Sequence, residues 1–144
     1  MSQNNFLSEE ELEALREITE TPVRRPVILL VDDDEDVLAE MRELIETAEI
    51  DCLTASSAAE ALRRITRDES SIDLLVTDLN MEGEGSGLDL VRELNLIGTF
   101  LPIIVLSGQA ATRDVIEAMR LNVLDFMLKP VEPAYFLRVL SRSL

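Results

Sequence analysis

The chain alternates short, uninterrupted apolar runs with longer stretches in which apolar residues recur at helical spacing. Val27–Val31 is the clearest run, and its unbroken aliphatic character is typical of a strand buried on both faces. A stretch with apolar residues on one helical face follows it, and the pair of patterns then repeats along the chain. This alternation predicts an α/β fold, with a five-stranded parallel sheet and helices on both faces, because right-handed crossovers leave few other arrangements.

The same patterns predict where each element lies. Strands are expected over residues 27–31, 52–55, 74–77, 102–106 and 125–128. Helices are expected over residues 36–48, 57–68, 88–96, 112–121 and 133–144. We expect one domain over residues 26–144, with nothing after its last helix that could form a second domain.

Residues 1–25 differ in composition from the rest and are expected to form an N-terminal extension. Ser8 is a good N-cap, Glu11 stands where a capping box needs its acid, and Leu7 can pack against Leu12. A short amphipathic helix is therefore predicted, which ends before Pro22 and has a narrow apolar stripe formed by Leu12, Leu15 and Ile18. This helix either packs on the domain or frays in solvent, or it docks on a partner protein.

The charge balance narrows the possible ligands. Lys and Arg number 13 against 29 Asp and Glu, so the formal net charge is -16, and phosphate backbones and anionic membranes would be repelled. Direct nucleic-acid binding is not expected. No apolar run approaches the roughly 20 residues that span a bilayer, and the N-terminus is acidic where a signal peptide is basic. A cytoplasmic protein is predicted.

The counts of histidine and cysteine exclude several kinds of site. The chain has no histidine and a single cysteine, Cys52, so it has no intrachain disulfide. The common structural zinc sets and the Ser-His and Cys-His catalytic pairs are excluded as well.

Polar residues come directly after four of the predicted strands. Asp32 and Asp33 follow the first strand, Asp78 the third, Ser107 the fourth and Lys129 the fifth. Parallel strands share a direction, so these side chains are expected to meet at the carboxyl edge of the sheet, where α/β folds bind ligands.

Such a cluster would have definite chemistry. Three neighbouring carboxylates repel one another, so they must either bind protons or hold a cation, and hard oxygen ligands favour Mg²⁺. Magnesium and Lys129 together would stabilise the charge on a transferring phosphoryl group, and a carboxylate can be its acceptor. Ser107 and the backbone N–H groups around Gly108 could bind phosphoryl oxygens.

Four motifs in this order resemble the signatures of two-component response-regulator receiver domains. They are Leu-Leu-Val-Asp-Asp at residues 29–33, Val-Thr-Asp-Leu-Asn-Met at 76–81, Val-Leu-Ser-Gly at 105–108 and Met-Leu-Lys-Pro at 127–130. The resemblance covers residues 26–144. It implies a doubly wound sheet of the flavodoxin-like order 2-1-3-4-5, similar to stand-alone receivers of the chemotaxis type.

The resemblance also implies a role for each residue of the predicted cluster. Asp78 would be the phosphoacceptor. Asp32 and Asp33 would hold Mg²⁺ together with Asp78 and the main-chain carbonyl of Asn80. Lys129 would pair with the phosphoryl group.

Further features of the family map onto the chain with one departure. Ser107 and Phe126 would be the switch residues that rearrange on phosphorylation, and the Lys129–Pro130 peptide bond would be cis. Glu82 replaces a proline that is usual in the family, and the glycine-containing stretch at residues 83–87 is about one residue longer than usual.

The implied function is a phosphorylation-activated signalling switch of a phosphorelay. The chain would take a phosphoryl group from a histidine kinase or a phosphotransfer protein, and would signal to a downstream protein or by forming a homodimer. It would not be an enzyme beyond assisting its own phosphorylation and dephosphorylation. Two alternatives are a constitutive interaction module with an unused acidic pocket and, less favoured by strand order, an aspartyl-phosphate phosphatase of the haloacid-dehalogenase type.

Overall fold

The computed structural model describes residues 8–13, 24–81, 86–108 and 112–144. Five strands form one parallel sheet in the order β2-β1-β3-β4-β5, as predicted. The strands are β1 (Val27–Val31), β2 (Asp51–Ala55), β3 (Leu74–Asp78), β4 (Ile103–Ser107) and β5 (Asp125–Leu128).

Five helices connect the strands or follow the last one. They are α1 (Glu35–Glu46), α2 (Ala58–Asp68), α3 (Gly87–Ile97), α4 (Thr112–Arg120) and α5 (Pro133–Ser143), and a short 3-10 turn (Glu69–Ser71) follows α2. In the part of the chain that the structure describes, no helix is long and apolar enough to cross a membrane.

Side chains of the central strands alternate between two cores, one on each face of the sheet. In β1, Ile28 and Leu30 enter the core shared with α1 and α5, whereas Leu29 and Val31 enter the core shared with α2, α3 and α4. A strand that is buried on both sides needs apolar residues at every position, which is why the runs in the sequence are unbroken. The sheet is thus a rigid support whose carboxyl edge holds polar residues.

Strands β1 and β5 have the predicted bounds, and the other elements differ from the predicted ones by at most two residues at either end. Asp78 and Ser107 are the last residues of β3 and β4, not the first residues after them. Helix α1 begins one residue earlier than predicted because the Asp34 side chain caps it, accepting hydrogen bonds from the backbone N–H groups of Asp36 and Val37.

The described part of the N-terminal extension is helical over residues 9–13. The Glu11 backbone N–H donates to Ser8 Oγ at 3.1 Å, and the Ser8 hydroxyl donates to Glu11 Oε1 at 3.2 Å, so the predicted N-cap is confirmed. All six residues from 8 to 13 are exposed. The predicted contact of Leu7 and the predicted helix end before Pro22 lie outside the described residues.

Candidate functional site

Strand pairing brings the predicted polar residues together at the carboxyl edge of the sheet. Asp78 and Ser107 end the adjacent strands β3 and β4, and Asp32 and Lys129 follow β1 and β5 directly. Backbone hydrogen bonds hold the two residues beyond the strands, because the Asp32 N–H donates to the Ala55 carbonyl at 3.2 Å and the Lys129 N–H to the Ser107 carbonyl at 2.9 Å. The sheet itself therefore positions the side chains.

The Lys129 ammonium lies between two carboxylates. Its Nζ donates a hydrogen bond to Asp32 Oδ2 at 2.8 Å and lies 3.3 Å from Asp78 Oδ2. Asp32 and Asp78 are buried, and Asp33 beside them is half-buried. Charges this far from solvent interact strongly because water screens them poorly.

Burial and neighbouring charges shift two pKa values at the site. Burial raises the pKa of the Asp78 carboxyl above its ordinary value, although the Lys129 ammonium opposes that shift. For Lys129, burial disfavours the charged form, yet the hydrogen bond to Asp32 and the charge of Asp78 raise the pKa of the ammonium above its ordinary value. Lys129 is therefore a permanent cation at neutral pH.

The Asp78 carboxylate and the Ser107 hydroxyl are linked through Asn80. The Asn80 backbone N–H donates to Asp78 Oδ1 at 3.4 Å, and Asn80 Nδ2 donates to Ser107 Oγ at 3.4 Å. Ser107 is fully buried. The hydroxyl group and the carboxylate thus face a common space at the edge of the sheet.

The other two predicted features lie on and after β5. Phe126 is partly buried and packs against the core of the α2, α3 and α4 face. The Lys129–Pro130 peptide bond is cis, as the sequence resemblance implies.

Three carboxylates of the site could hold a metal ion together. Asp32, Asp33 and Asp78 each offer one oxygen, and these atoms all lie within 4.8 Å of one another. Three negative charges face one ammonium, so the set carries excess negative charge that a divalent cation would offset. Hard carboxylate oxygens in this number fit Mg²⁺, which keeps part of its water shell.

Two contributions to the site were missed in the sequence. Gly87 begins α3 against the end of β3, and a Cβ atom at this position would lie only 1.8 Å from the Asp78 carbonyl oxygen. The buried Thr77 hydroxyl donates to the same carbonyl at 3.0 Å. Gly87 is the last glycine of a stretch that reads as a loop, so its close packing leaves no signal in sequence pattern.

Residues 28–141 match the family model of the response regulator receiver domain. The chain belongs to the response-regulator receiver family. Receiver domains are the phosphoacceptor signalling domains of two-component systems and bind Mg²⁺ at an acidic pocket.

Curated relatives agree with this assignment. The chain is 34% identical over 118 residues to the two-component response regulator PprB of Pseudomonas aeruginosa, covering 80% of this chain and 42% of that protein. It is 33% identical over 111 residues to the transcriptional regulatory protein PrrA of Mycobacterium tuberculosis, covering 77% of this chain and 46% of that protein. The receiver thus spans less than half the length of these relatives.

Solved structures show the same fold. A response regulator receiver protein from Pseudomonas putida superposes with a TM-score of 0.75 at 34% identity, covering 84% of this chain and 99% of that one. A receiver domain from Clostridium thermocellum superposes with a TM-score of 0.76 at 31% identity, covering 82% of this chain and 93% of that one.

Proposed function

We propose that this receiver is a phosphorylation-activated switch in which Asp78 accepts the phosphoryl group. One observation carries the proposal: the Asp78 carboxylate is buried at the carboxyl edge of the sheet, 3.3 Å from the Lys129 ammonium and grouped with Asp32 and Asp33. A carboxylate held beside fixed positive charge, with further acids to bind a metal, is suited to receive a phosphoryl group.

The phosphoryl transfer is a displacement at phosphorus. A carboxylate oxygen of Asp78 forms the new P–O bond, and the P–N bond to a phosphohistidine imidazole of the donor breaks. The bonding electron pair leaves with the imidazole nitrogen, which keeps it or takes a proton from water. Lys129 then pairs with a phosphoryl oxygen, and this attraction offsets the negative charge that the group brings into the pocket.

Asp32, Asp33 and Asp78 would hold Mg²⁺ with the main-chain carbonyl of Asn80. When bound, the ion would supply a second positive charge to the phosphoryl oxygens. The fit rests on the three carboxylate oxygens that lie within 4.8 Å of one another.

The buried Ser107 hydroxyl would transmit the change. It would move toward a phosphoryl oxygen to donate to it once one is present, and this movement would break the hydrogen bond that it accepts from Asn80 Nδ2. Phe126, on the neighbouring strand, would repack as Ser107 moves. The new arrangement alters the surface of α4, β5 and α5, which is where a downstream protein or a second copy would bind.

A groove beside the site would receive the phosphodonor. The cavity of about 570 Å³ lies between α1 and the segment after β5, and Lys129 is among its lining residues. Its apolar lining comes mainly from Val37, Met41, Leu44, Pro130 and Val131. An apolar helix seated there would bring a histidine at its flank to the pocket, so a histidine kinase or phosphotransfer protein is the partner we propose, acting in the cytoplasm.

Intact-mass spectrometry after incubation with acetyl phosphate and Mg²⁺ tests the proposal. We expect a gain of one phosphoryl group that requires Mg²⁺ and that Asp78→Asn abolishes. Asp51→Asn is the matched control, because Asp51 is an exposed aspartate at the amino end of β2, far from the carboxyl edge. This variant should be phosphorylated as the wild type is.

Two results would contradict the proposal. Phosphorylation that persists in Asp78→Asn would place the acceptor elsewhere. If the wild type gains no phosphoryl group although Mg²⁺ binds, the chain would be a constitutive interaction module with an unused pocket.

A further inference from the structure

Charge is distributed unevenly along the chain. Residues 112–144 contain five Lys or Arg and four Asp or Glu, a net charge of +1, whereas residues 1–111 contain eight against 25, a net charge of -17. Residues 112–144, which form α4, β5 and α5, therefore carry no net negative charge and would not repel an acidic segment as the chain as a whole does.

Residues 112–144 also expose large apolar side chains. Met119 of α4 is 57% exposed, Leu128 at the end of the edge strand β5 is 69% exposed, and Tyr135 of α5 is 46% exposed. Ile116 and Leu124 are also about half exposed. Exposed apolar groups on adjacent elements indicate a binding surface more strongly than single scattered ones do.

Two arginines of α5 lie on the side of that helix that carries Tyr135. The Arg142 guanidinium lies 3.9 Å from Asp125 of β5, so its side of α5 faces the edge strand. Tyr135 and Arg138 share that side because they precede Arg142 by seven and four residues, and the Arg138 guanidinium lies over the Tyr135 ring at 5.9 Å. We name this surface, formed by Met119, Leu128, Tyr135, Arg138 and Arg142, the edge face.

An acidic segment with an apolar stripe is present in the same chain. The N-terminal extension has six glutamates and one arginine between residues 8 and 20, together with the stripe of Leu12, Leu15 and Ile18. In the described part, residues 8–13 are exposed and Leu12 is 48% exposed, so the structure leaves this part of the stripe uncovered.

The extension joins the domain beside the C-terminal end of α5, the helix that carries Tyr135, Arg138 and Arg142 of the edge face. Arg24 Nη2 donates to Asp73 Oδ1 at 2.8 Å, and a cavity is shared by Arg24, Pro102, Ser143 and Leu144, the last two at the C-terminal end of α5. The five residues between Ile18 and Arg24 span up to about 17 Å when extended. From β3, which follows Asp73, to β5 is two strand spacings, or about 10 Å.

We propose that the N-terminal segment, residues 8–20, docks on the edge face of its own chain as a tethered ligand. Leu12, Leu15 and Ile18 cover the exposed apolar groups, and the glutamates lie near Arg138 and Arg142 of α5. Docking does not require phosphorylation. Its regulatory meaning does rest on the proposed function: the segment would occupy the surface that a downstream partner or second copy needs, and would have to be displaced first.

A single spin label on the full-length, unphosphorylated protein tests this docking. A nitroxide is attached to Glu13→Cys, where the side chain is exposed. The native Cys52 stays unlabelled, because burial raises the pKa of its thiol to about 12 and keeps it protonated. We expect the amide signals of the edge-face residues to be broadened. The amide signals of α2, which follows the strand at the opposite edge of the sheet, should be unaffected.

Variants of the edge face and mixtures of labelled chains distinguish docking within one chain from the alternatives. Leu128→Ser with Met119→Ser should reduce the broadening severalfold, whereas Leu96→Ser, an 80% exposed apolar site on α3, should leave it unchanged. Broadening that is absent, or centred elsewhere, overturns the proposal. Broadening in a mixture of isotope-labelled chains and separate spin-labelled chains also overturns it, because the segment would then bind a second copy. No phosphodonor or Mg²⁺ is added, so failure here is separate from failure of phosphorylation.

Discussion

Two clusters in this receiver share one ionic pattern, a cation paired with two carboxylates, but differ in burial. Lys129 joins Asp32 and Asp78 at the carboxyl edge of the sheet, where the side chains are 26%, 4% and 9% exposed. Arg92 joins Asp89 and Glu117 on the surface between α3 and α4, where they are 44%, 56% and 36% exposed. Water screens the charges of the buried cluster poorly, so they interact strongly, whereas it weakens the attraction within the exposed cluster.

The exposed cluster aligns two helices. Arg92 Nη2 donates to Glu117 Oε1 at 2.7 Å, Arg92 Nε donates to the same carboxylate, and Arg92 Nη1 donates to Asp89 Oδ1 at 2.8 Å. Asn95 Nδ2 adds a hydrogen bond to the Leu121 carbonyl at 2.8 Å. This cluster ties α3 to α4 on the exposed surface, so the same ionic pattern has a structural role here.

Helix α3 connects the two clusters, and its first residue gives the largest expected effect. Gly87→Ala should lower the free energy of unfolding by about 3 kcal/mol, because the new Cβ would meet the Asp78 carbonyl oxygen at 1.8 Å. It should also displace Asp78 and slow phosphorylation. Urea unfolding followed by circular dichroism measures the first effect.

Gly98→Ala, at the other end of α3, is the control. Gly98 has a φ of 74°, but a Cβ atom added there would have no neighbour within 4 Å, so only the backbone cost of about 1 kcal/mol applies. Equal losses in the two variants would mean that the close contact at Gly87 is unimportant.

Removing the central cation compares the clusters directly. Lys129→Met should lower the free energy of unfolding by about 2 kcal/mol, because it leaves buried carboxylates without their cation. The Lys129 side chain is 26% exposed, which keeps this loss below that of a fully buried pair. Phosphorylation by acetyl phosphate should also slow by at least about tenfold.

Arg92→Met removes the cation of the exposed cluster in the same way. We expect a smaller change in the urea midpoint and an unchanged rate of phosphorylation. If Arg92→Met slows phosphorylation as much as Lys129→Met does, burial is not what separates the two clusters.

The smallest expected effect is the pH dependence of the exposed cluster. A backbone hydrogen bond from Ser86 lowers the pKa of Asp89, and the side-chain hydrogen bond with Arg92 lowers that of Glu117. Groups whose pKa is lower in the folded state stabilise it above their ordinary pKa, and this contribution is lost as pH falls through the lowered value. Asp89→Asn and Glu117→Gln should therefore lower the free energy of unfolding at neutral pH, and this loss should become smaller in acid.

Urea midpoints between neutral pH and acid measure this trend. High salt should reduce the losses at neutral pH, since these charges are exposed. Losses that stay constant across pH would mean that packing, and not charge, accounts for them.

The buried cluster could be predicted because it depends on strand order alone. Asp32, Asp78 and Lys129 each come at the carboxyl end of an apolar run, and parallel strands bring such ends together. The exposed cluster could not be predicted in this way. Its partners, Arg92 and Glu117, are on different helices, and whether they meet depends on how α3 and α4 rotate against the sheet.

The ends of strands and helices could also be predicted only approximately from the sequence. Asp78 and Ser107 were expected just after their strands but end them, because ladder pairing with the neighbouring strand continues for one residue beyond the apolar run. Helix α5 begins at Pro133 as predicted, but the cap by Glu132, whose carboxylate accepts from the backbone N–H groups of Ala134 and Tyr135, was missed.

By itself the sequence determined the α/β class, the sheet with its apolar strands, and the residues that gather at its carboxyl edge, since these follow from periodicity and chain direction. Tertiary structure alone decided the approach of Gly87 to Asp78, the tie between α3 and α4, the groove beside Lys129 and the composition of the edge face. These features join residues that are distant in sequence, and their contacts depend on the packing of whole helices, which no local pattern encodes.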